Sequence, residues 1–211
     1  MPVKKQKEKL LVPREKYLSA GVHIGMTFKT AGMKRFIYKI RPNGLAVLNI
    51  GLLDKRIEYA ANMIANSNST LIISRKEVGW EPAKKFAESI GGRYMTGRFM
   101  PGSLTNPAFE DFFEPDLVIV VDPSVDRQAI KEAVSMRIPV IALTDTYNDI
   151  AYIDLILPSN NKGKKSIALV LWAIAREVAK LKKAEFTAKT EDFGGGEYAE
   201  PTGERVAWAT Q

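Results

Sequence analysis

The chain has no cysteine and a single histidine in 211 residues. Disulfides, thiolate nucleophiles and thiolate metal ligands are therefore excluded, and His23 alone would need carboxylates around it to hold a structural zinc ion. Long apolar runs are also missing. The longest, Ile167 to Ala175, has nine residues before Arg176 and Glu177, well short of the ~20 that span a bilayer. No apolar stretch of signal-peptide length follows Met1-Pro2-Val3-Lys4-Lys5, so a soluble cytosolic chain is expected. Nucleotide-binding signatures fail as well. No Gly-x-Gly-x-x-Gly follows a strand-like segment, and Gly92 to Phe99, the nearest approach to a phosphate-binding loop, has Arg98 where Lys is needed and Phe99 where a Mg²⁺-binding hydroxyl is needed.

What is present is positive charge, unevenly spread. The net charge is +7, yet residues 1–60 hold 13 Lys/Arg against 4 Asp/Glu, and residues 158–183 hold 7 against 1. The middle is mildly acidic. Two basic blocks at opposite ends of the domain favour an anionic partner if folding brings them together; the plainer alternative is a solvated lysine-rich surface. Composition allows one ordinary globular domain with extensions: a basic arm over 1–12, a domain over 13–183, and a flexible acidic tail over 184–211. In that tail Gly194-Gly195-Gly196 breaks the pattern, and Tyr198 and Trp208 are handles for a partner.

Hydrophobic spacing predicts the fold class. A short helix over 13–20 and a glycine-punctuated loop precede an extended segment over 36–40, of which Phe36 or Ile40 should be core. Strand-like runs follow at 45–49, 70–74, 93–95, 117–121, 139–144 and 153–157. Between them apolar residues recur at helical spacing: Leu53, Ile57, Ala61 and Ile64; Ala83, Phe86, Ala87 and Ile90; then Ala129, Ile130, Ala133 and Val134 in a helix begun by Pro123 and Ser124. Val170, Leu171, Ile174, Val178 and Leu181 should form the inner stripe of a last helix. Continuous apolar strands alternating with helices predict an α/β fold: a mostly parallel sheet of about five strands with helices on both faces, flavodoxin- or Rossmann-like. There is no internal repeat.

Several loops suit RNA. Gly97-Arg98-Phe99-Met100-Pro101-Gly102-Ser103-Leu104-Thr105-Asn106 has a fixed cation, an aromatic, two glycines and no acid. Such a loop can press its backbone on an anion, while Arg98 forks onto phosphate. Thr105 and Asn106 either read sugar hydroxyls or cap the next turn. Lys34-Arg35-Phe36-Ile37-Tyr38-Lys39-Ile40-Arg41 interleaves cations with aromatics, as phosphate contact plus base stacking requires. Arg75 and Lys76 follow a strand. Asn161 is a candidate cap for the last helix, whose free N–H groups with Lys162, Lys164 and Lys165 would make an anion site. His23 either packs in its loop or touches RNA. Arg14, Lys16 and the N-terminal Lys4, Lys5 and Lys7 complete the candidates.

Asp122 and Asp145 each follow a buried strand and could share Mg²⁺ in a phosphotransfer enzyme. Asp122-Pro123 and Thr144-Asp145-Thr146 are equally turn-forming sequences, and no third acid or positioned lysine is evident to complete a catalytic set. A free RNA-binding regulator is the other alternative.

These motifs, taken in order, resemble the ribosomal protein S2 (uS2) family. They are Gly21-x-His23-x-Gly25, Tyr38 to Arg41 leading to Leu48-Asn49-Ile50, Ser74-Arg75, Gly97-Arg98-Phe99-x-Pro101-Gly102-x-Leu104-Thr105-Asn106, Asp122-Pro123, Ile138-Pro139-x-Ile141-Ala142-Leu143 with Asp145-Thr146, and Asn160-Asn161-Lys162-Gly163. Bacterial members insert a coiled-coil arm after the Thr-Asn loop. Here only about ten residues separate Asn106 from the Leu117 strand, which resembles the archaeal form; the long C-terminal extension of the eukaryotic laminin receptor precursor is also missing. The resemblance implies a non-enzymatic constituent of the small subunit near the head-body junction and platform. Its partners would be 16S rRNA and neighbouring ribosomal proteins, with mRNA passing nearby. No cofactor, metal, membrane or small-molecule substrate is implied. RNA contact falls on Lys34, Arg35, Tyr38, Lys39, Arg41, Arg75, Lys76, Arg98, Phe99, Thr105, Asn106, Lys162, Lys164 and Lys165.

Overall fold

The computed structural model describes residues 10–195. Lys4, Lys5 and Lys7, and the tail residues Tyr198 and Trp208, lie outside that range. A five-stranded parallel sheet organises the rest. Its strands are β3 (Thr70–Ser74), β4 (Arg93–Thr96), β5 (Leu117–Val120), β6 (Val140–Thr144) and β7 (Leu155–Pro158). They lie in the order β4-β3-β5-β6-β7, every neighbouring pair parallel. The chain thus reverses direction across the sheet between β3 and β5, the flavodoxin-like order.

Strand alternation sends side chains into two apolar layers. Ile72, Ile119, Ile141 and Leu157 face α2 (Ile50–Asn66), α3 (Trp80–Ile90) and α5 (Lys164–Lys182). Leu71, Ile73, Val118, Val120 and Ala142 face α4 (Arg127–Ser135). That second face has one helix to cover it, because the β4-to-β5 crossover over residues 97–116 contains none. Phe99 and Leu104 of the crossover, 6% and 0% exposed, enter the same apolar layer and do the covering instead. Burying each such side chain stabilises by about 1.5–3 kcal/mol.

The segment before α2 departs from the expected alternation. The 45–49 run does form a strand, β2 (Ala46–Leu48), but it pairs antiparallel with β1 (Ile37–Ile40) in a separate two-stranded sheet. The Gly25 and Met26 backbone bonds the other side of β2. This lobe follows α1 (Arg14–Ser19) and closes on the sheet's β7 edge, where Met33, Phe36 and Leu48 pack on Ile156. The Arg56 guanidinium, from α2, donates to the Ile156 carbonyl at 2.9 Å. An open strand edge invites pairing with another chain; the lobe removes that opening. Phe36 is core and Ile40 is 56% exposed.

Three further local differences have clear causes. Helix α4 begins at Arg127 and not at Pro123 or Ser124, because the Asp122 carboxylate accepts from the Ser124 N–H at 3.0 Å and holds residues 122–125 in a turn. Val134 and Leu181, expected inside, are 40% and 49% exposed; each lies one step past the buried stripe of its helix. The expected tail boundary at Lys183 also shifts. Phe193 is fully buried in the main core, Phe186 and Ala188 pack against it, and Trp172 Nε1 donates to the Ala188 carbonyl at 2.9 Å. Two phenylalanines spaced seven residues apart anchor a strap with no helical repeat, which periodicity alone does not reveal.

Candidate nucleic-acid interface

The carboxyl ends of the parallel strands, where this strand order places ligands, are filled by the chain itself. Asp122 follows β5 and is 0% exposed. Its Oδ1 accepts from Asn148 Nδ2 at 2.9 Å, its Oδ2 accepts from the Tyr147 hydroxyl at 2.9 Å, and Lys76 Nζ forms an ion pair with Oδ2. Asn161 reaches in from the far side, donating to the Leu143 carbonyl and to Asn148 Oδ1. It is therefore not the cap of α5, which starts behind Gly163 without a side-chain cap. Both carboxylate oxygens of Asp122 go to protein donors, as a buried carboxylate requires.

Folding does supply the third acid and the positioned lysine that spacing did not reveal: Asp126, 2% exposed, and Lys76. Burial raises the Asp126 carboxyl to about 6, against the opposing hydrogen bond from the Arg75 N–H. Burial likewise raises Asp145, whose Oδ1 takes the Thr146 N–H at 2.6 Å. Burial disfavours the Lys76 ammonium, but its hydrogen bond to Asp122 outweighs that and its pKa rises. Burial also raises the Tyr147 hydroxyl, reinforced by the Asp122 charge. Lysine is thus held as a cation and the tyrosine as a donor. Among the described residues no group of three or more His, Asp or Glu could hold a metal ion, and no helix is long and apolar enough to cross a membrane.

Around this plug the expected RNA-binding loops converge. The N-terminal loop is stitched to it, with the Met26 N–H donating to Thr146 Oγ1 at 2.9 Å, the Thr146 hydroxyl to the Phe28 carbonyl at 3.0 Å, and the Asn160 N–H to the Val22 carbonyl at 3.0 Å. Lys162 bridges the two, its ammonium 4.5 Å from the centre of the Tyr147 ring and 3.0 Å from Met26 Sδ. On the other flank the Gly97 N–H donates to the Ser74 carbonyl at 3.0 Å, which brings the Arg98 loop beside Arg75. One rim therefore carries Arg98, Arg75, Lys162 and the lobe with Lys34, Arg35, Lys39 and Arg41. All of these are exposed.

Not every expected contact survives. Phe99 is a core residue, and His23 is 8% exposed; burial, with Arg41 nearby, lowers the His23 pKa and keeps the ring neutral. Lys76 is spent on Asp122, and Lys164 pairs with Glu81 at 2.6 Å beneath Gly194. The Thr105 hydroxyl donates to Glu132 at 3.4 Å. Asn106 Oδ1 accepts from the Ala108 N–H at 3.1 Å, which closes an Asx turn rather than capping a helix. Arg14 and Lys16 on α1 and Lys165 on α5 are exposed but belong to none of the rim loops. Arg35 lies 4.9 Å and Arg56 4.7 Å from the Phe36 ring centre, and burial lowers the Arg56 pKa.

Two features escaped sequence reasoning. Phe28 is 76% exposed beside Lys29, and with Tyr38 at 62% it puts a second aromatic on the basic lobe; its neighbours in sequence carry one cation, too weak a pattern to single out. The loop's apparent lack of an acid is the other. Glu132 of α4, 28–30 residues away, accepts from the N–H groups of Gly102 and Leu104.

Comparison with known proteins agrees with the motif order. A family model described as ribosomal protein S2 matches residues 17–109 and 110–180. The small ribosomal subunit protein uS2 of Haloquadratum walsbyi is 47% identical over 186 residues, which cover 87% of this chain and 67% of that protein.

Proposed function

This chain belongs to the ribosomal protein S2 family, in its archaeal form, and we propose that it is a structural constituent of the small ribosomal subunit, held there by 16S rRNA and neighbouring ribosomal proteins near the head-body junction. The supporting observation is the rim. Lys34, Lys39, Arg41 and Arg98 are exposed and enter no ion pair among the described residues, whereas the crevice that would take a small ligand is closed by Asp122, Lys76, Tyr147 and Asn148. Free cations beside exposed aromatics suit a phosphate backbone with unstacked bases. Arg98, Arg75, Asn106, Lys162, Lys34, Arg35, Tyr38, Lys39, Arg41 and the newly found Phe28 form the proposed footprint. On this reading the protein works in the cytoplasm on the ribosome and supports subunit assembly and translation.

The test is residence. A native extract is sedimented, the subunits are washed in salt high enough to strip nonspecific cations, and this chain is quantified in each peak. Near one copy per small subunit is expected; recovery chiefly in the soluble fraction overturns the reading.

A further inference from the structure

We infer that Glu132 is a positioning residue for RNA binding: its carboxylate fills the anion seat formed by the 97–106 loop and so fixes the direction in which Arg98 leaves the surface. The inference rests on the rRNA-binding reading above. Glu132 is 6% exposed. The Gly102 N–H lies 3.0 Å from Oε1 and 3.2 Å from Oε2, the Leu104 N–H 3.4 Å from Oε2, the Thr105 hydroxyl 3.4 Å from Oε2, and Gln128 Nε2 2.9 Å from Oε1. Neighbouring backbone N–H groups turned to one point are an anion seat. Here an internal carboxylate occupies it, so those N–H groups are not open to a phosphate.

What the loop offers outward is therefore its side chains. Arg98 is exposed between two fixed points: Gly97, at φ +88° with its N–H on the Ser74 carbonyl, and Phe99, buried in the apolar layer that α4 also enters. Glu132 fixes the returning half of the loop at Gly102, whose φ of +97° is open to glycine. Without the carboxylate, buried N–H groups lose their acceptors and the loop must rearrange to find others. A guanidinium forks onto phosphate only from a set direction.

The experiment is a double-mutant cycle on the full chain, measuring affinity for small subunits that salt washing has freed of this protein, over a range of salt, with a thermal melt of each variant. Arg98→Ala should weaken binding about tenfold and lower the salt slope by about one. Glu132→Gln, which places an amide against the loop N–H groups, should weaken binding by a similar factor, and the double variant should bind no worse than Arg98→Ala alone. Glu132→Asp, which keeps the charge but shortens the reach, takes its place in the cycle should the glutamine variant not fold. If Arg98→Ala binds as wild type does, the reading of this loop as an RNA contact falls. If Arg98→Ala weakens binding while the Glu132 variant does not, or the two losses multiply, the positioning role of Glu132 falls and the RNA contact stands.

Discussion

The Tyr17 hydroxyl donates to Asp54 Oδ1 at 2.8 Å in the main core, and the other oxygen of Asp54 accepts from the Leu11 N–H at 2.9 Å. One buried carboxylate thus ties α1 and the chain before it to α2. Burial, and then the Asp54 charge, push the Tyr17 pKa up, so the hydroxyl remains a donor throughout the working range. Tyr17→Phe should destabilise the fold by about 1–2 kcal/mol and Asp54→Ala by about 3, since the latter leaves two buried donors without an acceptor. Denaturant midpoints at neutral pH measure both.

Asp126 should make stability fall as pH rises. Its carboxyl titrates at about 6 in the fold against an ordinary 3.8, so between those values the native state binds more protons than the unfolded chain. The penalty is absent below about 3.8, grows up to about 6 and is constant above it, at roughly 1–3 kcal/mol. Asp126→Asn should therefore be more stable than wild type at pH 8, with the advantage vanishing towards pH 4. Urea unfolding at the two pH values decides; an advantage that does not change with pH would sink the assignment.

Phe193 should behave as a core residue although it lies beyond the last helix. Phe193→Ala, or truncation after Lys183, should cost about 3 kcal/mol, or about 6–12 °C in a thermal melt for a chain of this size. A shift below about 2 °C would mean that the strap contributes no stability.

Phe28 and Tyr38 should matter to binding and not to folding. Both are more than half exposed, so replacing either by alanine should leave the melt unchanged within about 1 °C. Affinity for stripped small subunits should drop by about 1–3 kcal/mol for each aromatic that stacks on a base. Unchanged affinity for both variants would remove the lobe's aromatics from the footprint.

The parallel core was legible because its signal is local. Leu117 to Val120 and the Val140 to Leu143 run are apolar at every position, as strands covered on both faces must be, and the stripes of α2 and α5 repeat at helical spacing. The Arg98 loop was legible in composition but misread in part. Its glycines do shape an anion seat, yet the anion is Glu132, far along the chain. Phe99 looked like a stacking residue because an aromatic beside an arginine reads identically whether it faces base or core.

Sequence by itself determined the α/β class, the five-stranded parallel sheet, the basic blocks and, through the order of its motifs, the family. Each of these depends on residue type and near-neighbour spacing. Tertiary structure alone decided which cations remain free: Lys76 is consumed by Asp122 and Lys164 by Glu81, while Arg98 and Lys39 enter no ion pair among the described residues. It also decided that β2 leaves the sheet to close the β7 edge and that Phe193 returns to the core. The physical reason is the same in all these cases. A charge, a strand edge or an apolar ring is satisfied by whatever lies next to it in space, and for the two lysines those partners stand 46 and 83 residues away along the chain.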